Sequence, residues 1–538
     1  MPRKRMFING NFITLENDTA RAEALGSAGD TIAIVGSNED VKSWGKEAEV
    51  IDLKGATVIP GLIDSHSHIT AGAIWSRHAN VSTVTCDNLS DVLLTLTQKV
   101  EDTAPGDWVQ GFGYDDTGMP EMRHLNKRDL DAVSEQHPIF VSHISGHLAY
   151  LNTKALELVG IDKSTPDPVG GEIVRDEHGE ATGLLLETAG FLAREKLPKP
   201  TRDEFKQHLT DMIADYNKHG LTSTHDGAIG FTGGDTFFGV CNELIQAGEM
   251  NIRIYGAVLA GHYEKYDELG VGKQFGNEYV RVGGIKFFQD GSIQGLTGAL
   301  LDDYANKPGH RGGGPLHGLI YPQEEFNALI LKHHKNGDHI VVHGNGDAAI
   351  ESILRAIELA QKEHPRDDPR HMLIHAQMSH DKHIQQMINL GVIPSYFINH
   401  VYYWGDRHRD IFLGEKRASR MEPLQTSLNM GLKFSVHSDF PVTPIDPLFS
   451  IHTCVNRHTR SGKVLGEAEC ISPLEALKTF TTYAALCSFE EDIKGTLEVG
   501  KLADMTVLSE DILDVEKTSI KDIKVLRTVV GGKTVFEA

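Results

Sequence analysis

The segment IDSHSH places His66 and His68 at i and i+2, so one face of a β-strand would carry both imidazoles toward one metal ion. The pair alone says little, because among 28 histidines in 538 residues an H-x-H spacing arises by chance about once. Four further apolar runs end on groups of the same chemistry: IKFFQDG carries Lys286, VVHGNGD His343, LIHAQ His375 and VHSDF Asp439. Together they make four imidazoles, one carboxylate and one lysine at the carboxyl ends of five strand-like runs, a register that favours a metal centre over histidines merely bonded to loops. A lysine ammonium has only donors and cannot ligate. Carboxylation of Lys286 would turn it into a bidentate anion able to bridge two metals; the alternative is a lysine paired with Asp290. The repulsion of an ammonium by divalent ions favours the carbamate, and the four-residue spacing decides neither.

Groups on separate strands converge only in a frame that gathers strand ends. Between residues 58 and 490 strand-like runs alternate with amphipathic helical ones, the pattern of βα units around a parallel sheet. Eight such strands are legible: TVIPGLIDSHSH, GLTSTHDG, NIRIYGAVL, VGGIKFFQDG, HIVVHGNGD, HMLIHAQ, GVIPSYFI and LKFSVHSD. They predict an α/β fold, a (β/α)₈ TIM barrel. Residues 71–220 are too many for one crossover and hold strand candidates of their own (DWVQGFGYD, PIFVSHISGH, GEIVRDEHGEATGLLLE), so they read as an insertion after strand one, over the barrel mouth. Short strands with Asn-Gly, Gly-Asp and Lys-Gly turns fill 1–57, and 491–538 repeats the pattern with a Gly-Gly hairpin. Both ends are expected to build one small β-sandwich.

Lys and Arg number 52 against 75 Asp and Glu, a net charge of −23 that disfavours nucleic acid and anionic membranes as partners. Five scattered cysteines form no C-x-x-C pair, which argues against a disulfide framework or a thiolate zinc site. The opening MPRKRMFINGNF lacks the apolar run of a signal peptide, and no stretch is long enough to span a bilayer, so a cytoplasmic location is expected. In HRGGGPLHG no strand precedes the glycines and no Gly-Lys-Ser/Thr follows, so it reads as a loop after strand four rather than a phosphate cradle. The aromatic run VYYWGDRHRD after strand seven could line a pocket in which Arg407 or Arg409 reads a carboxylate, or form an ordered loop covering the barrel. His333 and His334, on an amphipathic helix, read as solvated.

The stretches VIPGLIDSHSH, SGHLAYLNTKAL, GGEIVRDEHGEATGLLLE, GGIKFFQDGS, VVHGNGD, LIHAQ, VHSDFPV and GTLEVGKLADMTVL resemble the amidohydrolase superfamily over nearly the whole chain, within its YtcJ-like branch, which includes N-substituted formamide deformylase. The resemblance implies a hydrolase with zinc or a similar divalent ion, one or two, at the barrel mouth. Carried over, His66 and His68 would hold the more buried metal with Asp439, Lys286 would bridge, and His343 and His375 would hold the second. Some members use a glutamate as shared ligand with one metal; Glu187 in GLLLETAG is that alternative, though its place in the insertion suits substrate contact or a structural role equally.

Such a ligand set would lower the pKa of a bound water from 15.7 toward about 7. Asp439 would deprotonate that water and return the proton to the leaving nitrogen. His147, His225 and Gln289 are candidates for steadying the oxyanion, His147 foremost, with capping of the following helix as its plain alternative. The expected substrate is a small molecule carrying an amide or N-formyl bond. A cyclic amide, carbamate or ester, a decarboxylation, and a regulatory barrel without activity are the alternatives, and the resemblance allows a homodimer.

Overall fold

The computed structural model describes residues 3–230, 236–273, 275–313 and 316–538; of the glycine-rich run at 310–318, positions 314 and 315 lie outside them. Eight parallel strands form one sheet, in the order of the chain: Leu62–Ser67, Leu221–Ile229, Arg253–Leu259, Val280–Phe288, Ile340–Gly344, Met372–His375, Ile393–Tyr396 and Ser435–Val436. All eight runs read from the sequence are present, although LKFSVHSD contributes only two strand residues. The last and first strands meet where Ser65 Oγ donates to the Val436 carbonyl and the Asp439 amide to that of His66, so the sheet nearly closes into a barrel. Strand one is buried throughout, as a parallel strand covered on both faces must be.

Helices wall the barrel with apolar stripes. Asp347–Glu363 turns Ile350, Ile353, Leu354, Ile357 and Ala360 inward at helical spacing. Arg202–Lys218 opens on a capping box between Thr201 and Glu204 and buries Phe205, Leu209, Met212, Ile213 and Tyr216 in the same core. This helix lies in the stretch read as insertion, but it belongs to the barrel wall, so the inserted layer is shorter than its spacing suggests. That layer is a six-stranded sheet built from Ala79–Asn80, Val109–Tyr114, Ile139–His143, Leu148–Leu151, Gly171–Arg175 and Ala181–Glu187.

Two more sheets pack over a shared core of Phe7, Leu25 and Ile32 from one and Phe12, Val58, Met505 and Val529 from the other. The first uses residues 4–52 alone; the second mixes Asn11–Ile13, Arg21–Ala22 and Thr57–Pro60 with Met505–Leu508, Val525–Val530 and Lys533–Glu537. Gly531 and Gly532 turn the last hairpin at φ +55° and +69°, the conformation a two-residue type I′ turn demands. Among the described residues no helix is long and apolar enough to cross a membrane.

His333 and His334, expected in solvent, are buried. The His333 ring meets Asp338 at 3.0 Å and the His334 ring meets His371 at 2.8 Å, because the helix turns this pair toward the wall rather than outward. The run after strand seven is a helix, Asn399–Arg407, continued by a π-helical turn at His408–Phe412, rather than a loop.

Candidate metal centre

Strand one delivers His66 and His68 to the barrel mouth, and the chain leaving strand eight returns Asp439 to them. Asp439 Oδ1 lies 3.3 Å from His68 Nε2 and 3.6 Å from His66 Nε2. That oxygen is buried with no hydrogen-bond partner among the described residues. A buried carboxylate oxygen left so is costly unless a ligand completes it, and a metal ion fits both the atom and its imidazole neighbours. Asp439 also groups with His375 and His437, so one carboxylate is common to two sets that can hold an ion, His66–His68–Asp439 and His375–His437–Asp439. Its backbone sits at φ +52° and that of His375 at +70°, uncommon for residues other than glycine and held here by tight surroundings.

His437 is the residue the sequence reading passed over. It precedes Asp439 by two, the same spacing that singled out His66 and His68, and that signal was present in VHSDF. Its Nδ1 meets Ser395 Oγ at 2.8 Å, which leaves Nε2 to face His375 Nδ1 at 3.2 Å. His343 stands outside both three-residue sets. It donates from Nε2 to the Gly291 carbonyl at 3.0 Å and turns Nδ1 to His375 Nε2, also at 3.0 Å.

Lys286 Nζ is buried, 3.3 Å from His66 Nε2, and burial brings it down to about 7, against which Asp439 pulls it up. It is not paired with Asp290, whose carboxylate accepts the backbone amides of Ala299, Asn345 and Gly346 and is raised by burial to about 7. An amine near neutrality is a nucleophile that carbon dioxide can reach as carbamate, which an ammonium cannot. Burial likewise holds His66, His343, His375 and His437 well below the ordinary histidine range, with Lys286 adding to the effect, so their nitrogens keep lone pairs for a metal. Gly227 of strand two leaves room for the His66 ring: a Cβ there would stand 2.0 Å from Cε1.

Of the remaining candidates, His147 and Glu187 come together. His147 Nδ1 and Glu187 Oε2 are 2.6 Å apart, and the His147 ring lies 4.8 Å from that of His343, beside the centre. Burial works against its charge, but the Glu187 carboxylate and hydrogen bond outweigh it, with Asp290 and Asp439 adding, so His147 is raised above the usual imidazole value. It does not cap the following helix; Asn152 does, accepting from the Ala155 amide.

Four others turn away. His225 points into the barrel one layer below Gly227, its ring 4.9 Å from that of Tyr255, and burial and then Lys494 depress it to about 3. The Gln289 carboxamide is tied to Tyr321 and Ser352, on the wall side. Arg407 donates to both oxygens of Asp115, at 2.8 and 2.9 Å, and Arg409 is held by Asp406 and Asp410, so neither waits for a substrate carboxylate. Asp115, Asp116 and His143 form a third set of metal-capable residues in the inserted sheet, but Trp404, Arg407, His143 and His124 already engage the two carboxylates.

The family model described as "Amidohydrolase family" matches residues 49–536. YtcJ of Bacillus subtilis is 30% identical, covering 98% of this chain and 99% of its own. The N-substituted formamide deformylase of Arthrobacter pascens is 29% identical over 99% of this chain and 98% of its own. Among solved structures, an uncharacterized metal-dependent hydrolase of Pyrococcus horikoshii superposes with a TM-score of 0.77 at 23% identity, covering 96% of this chain and 99% of that one.

Proposed function

The chain belongs to the amidohydrolase family, and from that premise we propose that it is a metal-dependent hydrolase cleaving a carbon–nitrogen bond other than a peptide bond, in a small N-formyl or N-acyl amine. The observation that carries the reading is the buried Asp439 carboxylate, shared by two imidazole pairs and with one oxygen lacking a hydrogen-bond partner among the described residues. Similarity to a formamide deformylase supports the choice of bond.

His66, His68 and Asp439 would hold one ion and His375, His437 and Asp439 a second, with Lys286 as carbamate between them; the imidazole-rich set suits zinc. A divalent ion there supplies a water acidified toward neutral pH and a Lewis acid for the carbonyl oxygen. Asp439 takes a proton as the water oxygen bonds to the carbonyl carbon, then passes it to the nitrogen as the C–N bond breaks, leaving a carboxylic acid and an amine. His147, whose charged form Glu187 favours, donates to the carbonyl oxygen as negative charge grows on it. Ser395 fixes the His437 ring and Gly291 that of His343, so the imidazoles do not reorient during turnover.

Asp439→Asn removes the proton acceptor at nearly constant shape. Turnover of N-formyl amines by zinc-loaded protein should fall by 10² to 10⁴-fold with the thermal transition little changed. Turnover at the wild-type rate would refute the assignment.

A further inference from the structure

Beside the metal centre lies a narrow cleft between the inserted sheet and the connection after strand four. Leu186, Leu316, Leu319 and Ile320 make its apolar walls, and Glu172 and Glu187 are the charged groups on them; no lysine or arginine lines it among the described residues. Glu187 joins cleft to centre. Its Oε2 holds His147, while its Oε1 is buried without a hydrogen-bond partner among the described residues. Gly291 makes room for that oxygen, since a Cβ there would stand 2.1 Å from it. Glu187 itself is fixed at φ +49°, with its amide donating to the His147 carbonyl at 2.8 Å. A buried acceptor so held, on a residue that lines an apolar cleft, calls for a donor carried on an apolar body.

We propose that this cleft receives the leaving-amine side of the substrate, Glu187 Oε1 accepting an N–H of the departing nitrogen, so that neutral apolar amines are selected and leaving groups bearing a carboxylate are rejected. The proposal rests on the hydrolase reading above and adds the substrate class. Rejection follows from charge: a second carboxylate would enter a low-dielectric cleft beside Glu187 and Glu172, with no cation lining it among the described residues, and like charges so placed repel. Arg311, two residues before Gly313 of the lining, is engaged with Asp303 at 3.0 Å and does not offset this.

N-isopentylformamide and N-formyl-leucine form a matched pair, alike except for one carboxylate. With zinc-loaded protein, kcat/KM should favour the first by about 100-fold or more. Leu319→Arg, which sets a cation in the wall, should narrow that ratio by about tenfold or more. Calorimetry with isopentylamine gives a readout independent of turnover: binding should weaken about tenfold or more in Glu187→Gln and again in Leu319→Arg, with circular dichroism and zinc content checking that both variants fold.

If the two formamides are hydrolysed equally, or if both variants fold and change neither ratio nor binding, the cleft assignment is overturned while the hydrolase reading stands. If neither compound is hydrolysed yet isopentylamine binds in a Glu187-dependent way, the amine site stands and the choice of bond falls. Neither hydrolysis nor binding overturns both.

Discussion

Gly227→Ala tests whether the second strand is shaped around a metal ligand. The new methyl carbon would fall 2.0 Å from Cε1 and 2.4 Å from Nδ1 of His66. An ordinary carbon contact is about 3.5 Å, so the ring must withdraw by roughly 1.5 Å or the two strands must part. His66 is buried and close to Lys286, Asp439 and the rings of His68, His375 and His437, so it cannot withdraw without leaving the centre. Overpacking of this kind costs about 1–3 kcal/mol of stability, and misplacing a ligand costs about 10 to 100-fold in metal affinity. Zinc affinity by chelator competition and thermal unfolding of metal-free protein measure the two effects separately. Gly261→Ala is the control, because a Cβ there meets nothing within 4 Å. Wild-type zinc affinity in Gly227→Ala would refute the assignment of His66 as a ligand.

Lys286→Ala should lower bound metal after identical zinc exposure, and full loading by elemental analysis would remove the bridging role. His147 titrates above 6.5, so its charge is complete below that pH and is lost as pH rises through the raised value; the alkaline limb of kcat/KM should therefore sit above 6.5. In Glu187→Gln the two largest contributions that favour the charge are gone, leaving burial opposed only by Asp290 and Asp439, so that limb should move to lower pH, and a pH profile identical to wild type would exclude the pair. Arg407→Ala should destabilise the fold by about 1–3 kcal/mol in chemical denaturation, because the buried Asp115 carboxylate loses its cation and keeps only Trp404, Thr117 and the Gly118 amide, yet leave the ranking of neutral against carboxylate substrates as it was.

The barrel was legible because strands buried on both faces leave continuous apolar runs, five of which end on candidate ligands. Reading VHSDF for its carboxylate alone hid His437, although strand alternation applied to it as fully as to IDSHSH. Partners remote in sequence were not legible. Arg407 looks free along the chain because Asp115, its partner, is 292 residues away in another layer. The same holds for His334, whose partner His371 stands 37 residues away, just ahead of strand six. The Glu187–His147 contact spans 40 residues and depends on a hairpin and its neighbouring strand closing over the mouth, which composition does not announce. His225 satisfied the strand-end pattern but sits one layer too low, and only register separates the two.

The sheet shared by the two ends of the chain bears on biosynthesis. Thr57–Pro60 pairs with Met505–Leu508, and Leu62, where strand one begins, is tied to Thr506 across 444 residues. At about 5–20 residues per second a ribosome needs roughly 20 to 90 s to make that interval. Throughout it Phe12 and Val58 lack the apolar partners Met505 and Val529, and the edge of Thr57–Pro60 lacks its neighbour. The nascent chain thus carries an open strand edge for most of its synthesis, a state that invites pairing with other chains and favours cells able to shelter it until the final hairpin arrives.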